Sequence, residues 1–282
     1  NDGGGPVDVA ATRAAFQDPG IGTNAAVLVG FGSVRRTVMG MRDGAPTRAE
    51  LDSMRSLVDR AMEDGALGLS TGLFYAPQSF AETDEVVALA RVAARHGGLY
   101  DTHLRDESSY SVGLIGAVEE ALAVGREAKV RVNIAHIKAL GVDAWGKSAE
   151  VIERIREARA QGQEVTADQY PYEASGTSLG AALLPRWAQA GGTDSLLVRI
   201  RDPQRRPRLL EDMAENLRRR NGPDALLVTG GPDESLRGRT LAEIAAARGA
   251  DPLETALEII AAGGARVGSF SMGEEDIRAF MQ

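Results

Sequence analysis

Apolar runs that end in polar residues recur at a nearly constant interval along the first 170 residues of the chain. They centre near Leu69, His103, His136 and Asp168, so that their spacings are 34, 33 and 32 residues. Because a helical stretch separates each run from the next, the pattern predicts successive βα units of one parallel sheet or barrel. In such folds the carboxyl ends of the strands form the rim where active sites lie.

The pattern also predicts individual elements. Thr47 and Glu50 have the spacing of a capping box, so a helix is predicted to begin there and to end at Gly65. A further helix is predicted to end near His96, where an imidazole can cap the last carbonyls. The strands are predicted at 25–29, 66–69, 99–103, 131–136 and 164–168.

The 282 residues indicate one large domain. Residues 1–23 are small, polar and rich in glycine, and they are predicted to be an irregular lead-in. After about residue 180 the rhythm changes, and 180–282 is predicted to be mostly helical.

Composition narrows the possible functions. The net charge of −8 argues against a nucleic-acid role, which would require a basic face. No run approaches the roughly 20 apolar residues of a membrane span, and the lack of cysteine excludes disulfides and thiolate metal sites in this chain. We therefore expect a cytoplasmic protein that binds a small molecule and neither nucleic acid nor a membrane, while the sequence leaves the oligomeric state open.

His103 and His136 are the best candidates for chemistry. Both end predicted neighbouring strands, where two neutral imidazoles can converge on one zinc ion. The alternative is that each imidazole only forms hydrogen bonds within the fold. Lys138 is predicted to share a strand face with His136, because alternate residues of a strand point to the same side. Asp168 could act as an acid, a base or a structural anchor.

Four segments resemble the N-acyl-D-amino-acid deacylases, or D-aminoacylases, of the amidohydrolase superfamily. They are GALGLSTGLFYAP, THLRDE, IAHIK and ADQYPYEASGTSL, and they occur in the family's order and spacing. The resemblance implies an α/β fold, a (β/α)8 TIM-like barrel of the metal-dependent hydrolases, and zinc-dependent hydrolysis of the N-acyl amide of N-acyl-D-amino acids. It implies that His103 and His136 are zinc ligands. It also implies substrate-binding positions at Tyr75, Lys138, Ser175 and Ser178, with Lys138 facing the substrate carboxylate.

The chain departs from the family pattern at several positions. It has no His-x-His pair, no cysteine ligand and no match to the family's aspartate general base, so no catalytic base is assigned. We interpret 1–282 as a partial barrel containing strands three to seven, and we expect little or no amidase activity from this piece alone. A cyclic-amide hydrolase of the dihydroorotase or hydantoinase type is one alternative, and a non-catalytic barrel remnant or scaffold is another.

Overall fold

The computed structural model describes residues 2–18 and 20–282, and these form two compact units. The first unit comprises the described residues up to 106 together with 114–137 and 150–169. The second comprises 107–113, 138–149 and 170–282. The residues after 169 build a sheet and an apolar core of their own, and the assignment of the whole chain to one domain stays a prediction.

One or two helices separate each strand of the first unit from the next, and the second unit contributes three further strands. The strands, in chain order from β1 to β8, are Leu28–Gly30, Gly68–Gly72, Leu99–His103, Arg131–Ile134, Val165–Ala167, Ala174–Ser178, Leu226–Gly230 and Arg266–Phe270. The helices, from α1 to α13, are Val9–Gln17, Phe31–Met39, Arg48–Glu63, Thr83–Arg95, Gly113–Ala128, Ser148–Ala160, Leu179–Leu183, Arg186–Gln189, Gly192–Arg201, Arg206–Arg219, Leu241–Arg248, Pro252–Ala261 and Glu274–Phe280. None of the helices in the described residues combines the length and hydropathy needed to cross a membrane. A cytoplasmic location stays a prediction.

The first unit is built on a five-stranded parallel sheet in the order β1-β2-β3-β4-β5. The prediction of adjacent parallel strands at this rhythm is therefore confirmed. The register pairs Gly72 of β2 with His103 of β3, and Thr102 of β3 with Ile134 of β4. The ends of β3 and β4 consequently lie next to each other, which brings the following residues to one edge of the sheet.

Local signals explain where the helices start. The Thr47 side chain accepts a hydrogen bond from the Glu50 N–H, and the Glu50 carboxylate accepts one from the Thr47 N–H, which completes the predicted capping box of α3. The lead-in is less irregular than its composition predicts. The Asp8 side chain accepts a hydrogen bond from the Ala11 N–H, and this cap starts α1 over Val9–Gln17.

The second unit contains an antiparallel sheet in the order β6-β8-β7. Its residues after 180 are mostly helical, and Leu179, Leu209, Leu226 and Leu241 are fully buried in its core. Strand β6 has the sequence ASGTS, which lacks the alternation of apolar residues that predicts a strand. It forms because its backbone pairs with β8 along its whole length.

The Arg35 side chain forms hydrogen bonds with several loops around the sheet of the first unit. Its fully buried guanidinium donates hydrogen bonds to Glu85 Oε1 at 2.9 Å and to the carbonyl oxygen of Pro77 at 3.0 Å. It also donates to the carbonyl oxygens of Arg42 and Gly44. Burial raises the pKa of Glu85, although Arg35 opposes that shift. The pair therefore holds the turn that carries Tyr75 and Gln78.

Replacing Arg35 by methionine should destabilise the protein strongly. Arg35→Met leaves the Glu85 carboxylate buried without its cation, and breaking a buried pair in this way costs about 3–5 kcal/mol. The free energy of unfolding from urea titration followed by circular dichroism measures the effect. The matched control is Arg55→Met, because the Arg55–Asp52 pair is largely exposed and surface pairs contribute little. Equal losses in both variants would contradict this role of Arg35.

Candidate metal centre

The imidazoles of His103 and His136 meet at the carboxyl ends of β3 and β4. His103 is the last residue of β3, and His136 follows β4 by two residues. Nδ1 of His103 lies 3.1 Å from Nε2 of His136, and the ring centroids are 4.6 Å apart. The strand rhythm thus brings both histidines to one point, as two ligands of one ion require.

Asp2 lies beside the two imidazoles. Its Oδ1 is 3.3 Å from His136 Nε2 and 3.9 Å from His103 Nδ1. Burial alone would raise the pKa of Asp2, but the hydrogen bond to His136 and the neighbouring imidazoles outweigh it and lower the pKa to about 2. Sequence reasoning missed Asp2, because a carboxylate in a polar lead-in has no periodic pattern that would single it out.

The three side chains fit a divalent cation. Two ligands of a tetrahedral zinc ion at ~2.0–2.1 Å lie about 3.3–3.4 Å from each other. The donor separations of 3.1, 3.3 and 3.9 Å bracket that value. Imidazole nitrogen and carboxylate oxygen are both common zinc ligands. The His103–His136 separation alone would also suit an N–H···N hydrogen bond, so the third donor is needed for the fit.

Aromatic side chains line the His103 side of the centre. The Tyr75 ring lies 4.9 Å from the His103 ring between centroids, and the Phe74 ring lies 6.0 Å from it. The turn after β2 carries both residues, and the Tyr75 N–H donates to the Gly72 carbonyl oxygen at 2.9 Å. The structure therefore places Tyr75 against His103, one of the two candidate ligands.

A hydrogen-bonded ladder across β3, β4 and the end of β5 holds His136. The Asn133 amide donates to Asp101 Oδ1 and to Asp168 Oδ2, each at 2.8 Å, and Thr166 donates to Asn133 Oδ1. Asp168 Oδ1 accepts from the His136 N–H at 2.8 Å. His136 has a φ of +39°, in the left-handed region that few side chains adopt. Asp168 therefore supports the backbone of a candidate ligand, which favours the anchor among its possible roles.

Lys138 belongs to the second unit and is buried. Its Nζ lies 2.5 Å from Glu107 Oε1, and it lies 5.5 Å from the centroid of the Tyr170 ring. Strand alternation predicts a shared face for Lys138 and His136, but β4 ends at Ile134 and the turn at His136 breaks the alternation. The pairing of Lys138 with Glu107 was not predicted, since the two residues are 31 positions apart and only the fold brings them together.

Ser175 and Ser178 lie on β6 in the second unit. The Ser178 hydroxyl accepts a hydrogen bond from the Ala181 N–H at 3.0 Å and caps α7. Among the residues that the structure describes, the buried Ser175 hydroxyl has no hydrogen-bond partner. Ser178 thus has a structural role already, whereas Ser175 retains its bonding capacity. Substrate contacts by either serine stay predictions.

Comparison with known proteins shows which proteins the chain is similar to. Over 259 residues the chain is 33% identical to an N-acyl-D-glutamate deacylase of Alcaligenes xylosoxydans xylosoxydans, covering 92% of this chain and 45% of that protein. It is also 42% identical over 156 residues to a D-aminoacylase of the same organism, covering 55% of this chain and 31% of that protein. Both relatives are deacylases of N-acyl-D-amino acids, so the predicted resemblance of the chain to that family is confirmed. No family model matches it.

The similarity extends to the fold. The crystal structure of N-acyl-D-glutamate deacylase from Bordetella bronchiseptica, complexed with zinc and a phosphonate mimic of the tetrahedral intermediate, matches with a TM-score of 0.78 and 32% identity. The match covers 98% of this chain and 50% of that chain. Together with the five parallel strands, it confirms the predicted α/β amidohydrolase fold. The chain spans less than half the length of the curated deacylases that it matches.

Replacing Asn133 by aspartate should weaken metal binding. Asn133→Asp removes the two N–H donors and sets a third carboxylate between Asp101 and Asp168, so the turn at His136 loses its support. Loss of a group that orients a metal ligand typically lowers affinity about 10–100-fold. Competition with a chromophoric chelator measures zinc affinity. The control is Asn24→Asp, at an exposed position. Unchanged affinity in Asn133→Asp would show that the ladder does not support the centre.

Proposed function

We propose that this chain provides the metal- and substrate-binding part of a zinc-dependent hydrolase that cleaves the N-acyl amide bond of N-acyl-D-amino acids. The observation that carries the proposal is the convergence of His103 and His136, with Asp2 beside them, at the carboxyl ends of adjacent parallel strands. The similarity of the chain to deacylases of N-acyl-D-amino acids supports the substrate class.

His103 and His136 would hold the metal in this proposal. A bound zinc ion supplies Lewis-acid polarisation of the amide carbonyl. The residues of the chain fix the position of that ion: β3 presents His103 directly, and the Asp168–Asn133 ladder sets the turn at His136. Tyr75 and Phe74 border the centre and would exclude water from one side of the bound acyl amide.

We assign the substrate carboxylate to Lys138, with Ser175 and Ser178 as further binding positions. The close Glu107 carboxylate stabilises the charged form of the buried ammonium and restricts its position. A cation that is held in this way can bind an anionic substrate without first being ordered, and this lowers the cost of binding.

Features of the first unit weigh against a cyclic-amide hydrolase. Such an enzyme would need a metal-bridging carboxylated lysine, and the corresponding strand β2 has the sequence GLSTG. Its Thr71 is fully buried and forms hydrogen bonds with Tyr100 and Thr102. A non-catalytic scaffold would retain this fold without retaining metal, so the metal content of the purified protein separates it from the proposed hydrolase.

In the longest form that its gene encodes, the protein should release free D-amino acids from N-acetyl-D-amino acids. Release should depend on zinc, be lost in His136→Ala, and be weak for the L-enantiomers. Chromatographic assay of the released amino acid measures it. The control is His96→Ala, because His96 is the C-cap residue of α4 and its imidazole pairs with Asp59 of α3. The 282-residue chain alone should show little turnover, because it has no match to the aspartate that serves the deacylases as general base. Metal-independent release would refute the proposal.

Loss of the Lys138 ammonium should raise KM more than it lowers kcat. Removing a contact that is equally strong in the ground state and the transition state changes mainly KM. The double variant Lys138→Met/Glu107→Gln is preferred over Lys138→Met, since it leaves no buried carboxylate unpaired. Steady-state kinetics with N-acetyl-D-amino acids provide the measurement, and Lys147→Met is the matched control. Kinetics like those of the unchanged protein would remove Lys138 from the site.

A further inference from the structure

We infer that Asp2 is the third protein ligand of the metal, so that the centre is a two-histidine, one-carboxylate site. The inference rests on the proposed function, because the same two histidines hold the metal in both. Asp2, His103 and His136 form a cluster of possible metal donors. One ligand atom from each residue lies within 4.8 Å of the other two, and Asp2 supplies the carboxylate. It adds a residue that neither the strand rhythm nor the family segments indicate.

The backbone around Asp2 is fixed to the strand ends. The buried Gln78 side chain donates to the Asp2 carbonyl oxygen at 2.8 Å and accepts from the Gly72 N–H at 2.7 Å. The Gly3 N–H donates to the Ser70 hydroxyl at 3.2 Å, and the Gly3 carbonyl oxygen accepts from the Ser33 N–H. Hydrogen bonds from Gln78 to Asp2 and from Gly3 to Ser70 therefore fix this segment to β2 and to the turn that follows it, as a preorganised ligand requires.

Glycines leave the room that this segment needs. A Cβ atom at Gly72 would lie 2.2 Å from the Asp2 carbonyl oxygen, and a Cβ at Gly30 would lie 2.3 Å from the Gly5 nitrogen. Any larger residue at Gly72 or Gly30 would displace the segment from the strand ends. Both glycines lie at carboxyl ends of strands, at β2 and β1 respectively. The close approach of the segment is thus part of how the centre is built.

An oxygen donor changes which metals the centre accepts. Thiolate ligands favour soft cations and zinc, whereas carboxylates suit harder divalent ions. The chain contains no cysteine, and the cluster supplies two imidazole nitrogens and one carboxylate oxygen. We therefore expect binding of Zn²⁺ and Co²⁺ together with measurable binding of Mn²⁺ or Fe²⁺.

Cobalt spectroscopy of Asp2→Cys tests the assignment without any activity assay. The variant contains the chain's only thiol, so a ligand at position 2 should give a thiolate-to-cobalt charge-transfer band that grows with one equivalent of Co²⁺. Asp18→Cys, at an exposed position, is the matched control and should bind Co²⁺ without that band. Asp2→Asn should lower Co²⁺ and Zn²⁺ affinity more than about 100-fold, a larger loss than the roughly 10–100-fold expected for a supporting group.

The outcomes separate this inference from the proposed function. Metal binding that is lost in His136→Ala but unchanged in Asp2→Asn, with no band in Asp2→Cys, would overturn the role of Asp2 and leave the histidine site intact. Binding unaffected by His136→Ala would overturn both. A stoichiometric band in Asp2→Cys without amide hydrolysis by the full-length protein would support Asp2 as a ligand and refute the proposed activity.

Discussion

Parallel pairing between β3 and β4 determines where two imidazoles can meet, because each strand delivers its last residues to the same edge of the sheet. The pairing of Thr102 with Ile134 leaves His103 at the end of one strand and His136 just beyond the other. A shift of one residue in this register would reverse the faces of β4 relative to β3 and separate the two rings. The hydrogen bond from Asn133 to Asp101 depends on this pairing, whereas the contacts of Phe74 and Tyr75 with His103 depend on the pairing of β2 with β3.

Sequence patterns predicted the parallel sheet because the βα unit repeats at a nearly fixed length, and apolar runs mark each strand within it. The same rhythm indicated His103 and His136, since both follow such runs directly. Strand β6 was not predicted, because its small polar residues are held by pairing with β8 and not by a buried face of their own. The helix α1 was missed because it has no apolar stripe: Val9 is the residue that it buries.

Residues whose roles depend on distant partners were beyond sequence reasoning. Asp2 approaches His136 across 134 positions, and Lys138 meets Glu107 across 31. Neither separation follows from helical or strand periodicity, which reports only neighbours within one element. Asn133 is a polar residue in the short strand β4, and its sequence context indicates only a solvent-exposed side chain. Its role becomes visible only when Asp101 and Asp168 are found on either side of it.

The net charge of the metal centre explains why an uncharged amide, Asn133, and not another carboxylate lies between Asp101 and Asp168. In the described residues the donor cluster contains one carboxylate, so a divalent cation bound by Asp2 and two neutral imidazoles would leave a net charge of about +1. Such a surplus stabilises negative charge that develops on an amide oxygen. A second carboxylate among the donors would cancel it. Asp101 and Asp168 instead accept hydrogen bonds from the uncharged Asn133 amide and, for Asp168, from the His136 backbone. The ladder thus supports the His136 turn while the centre keeps its positive charge.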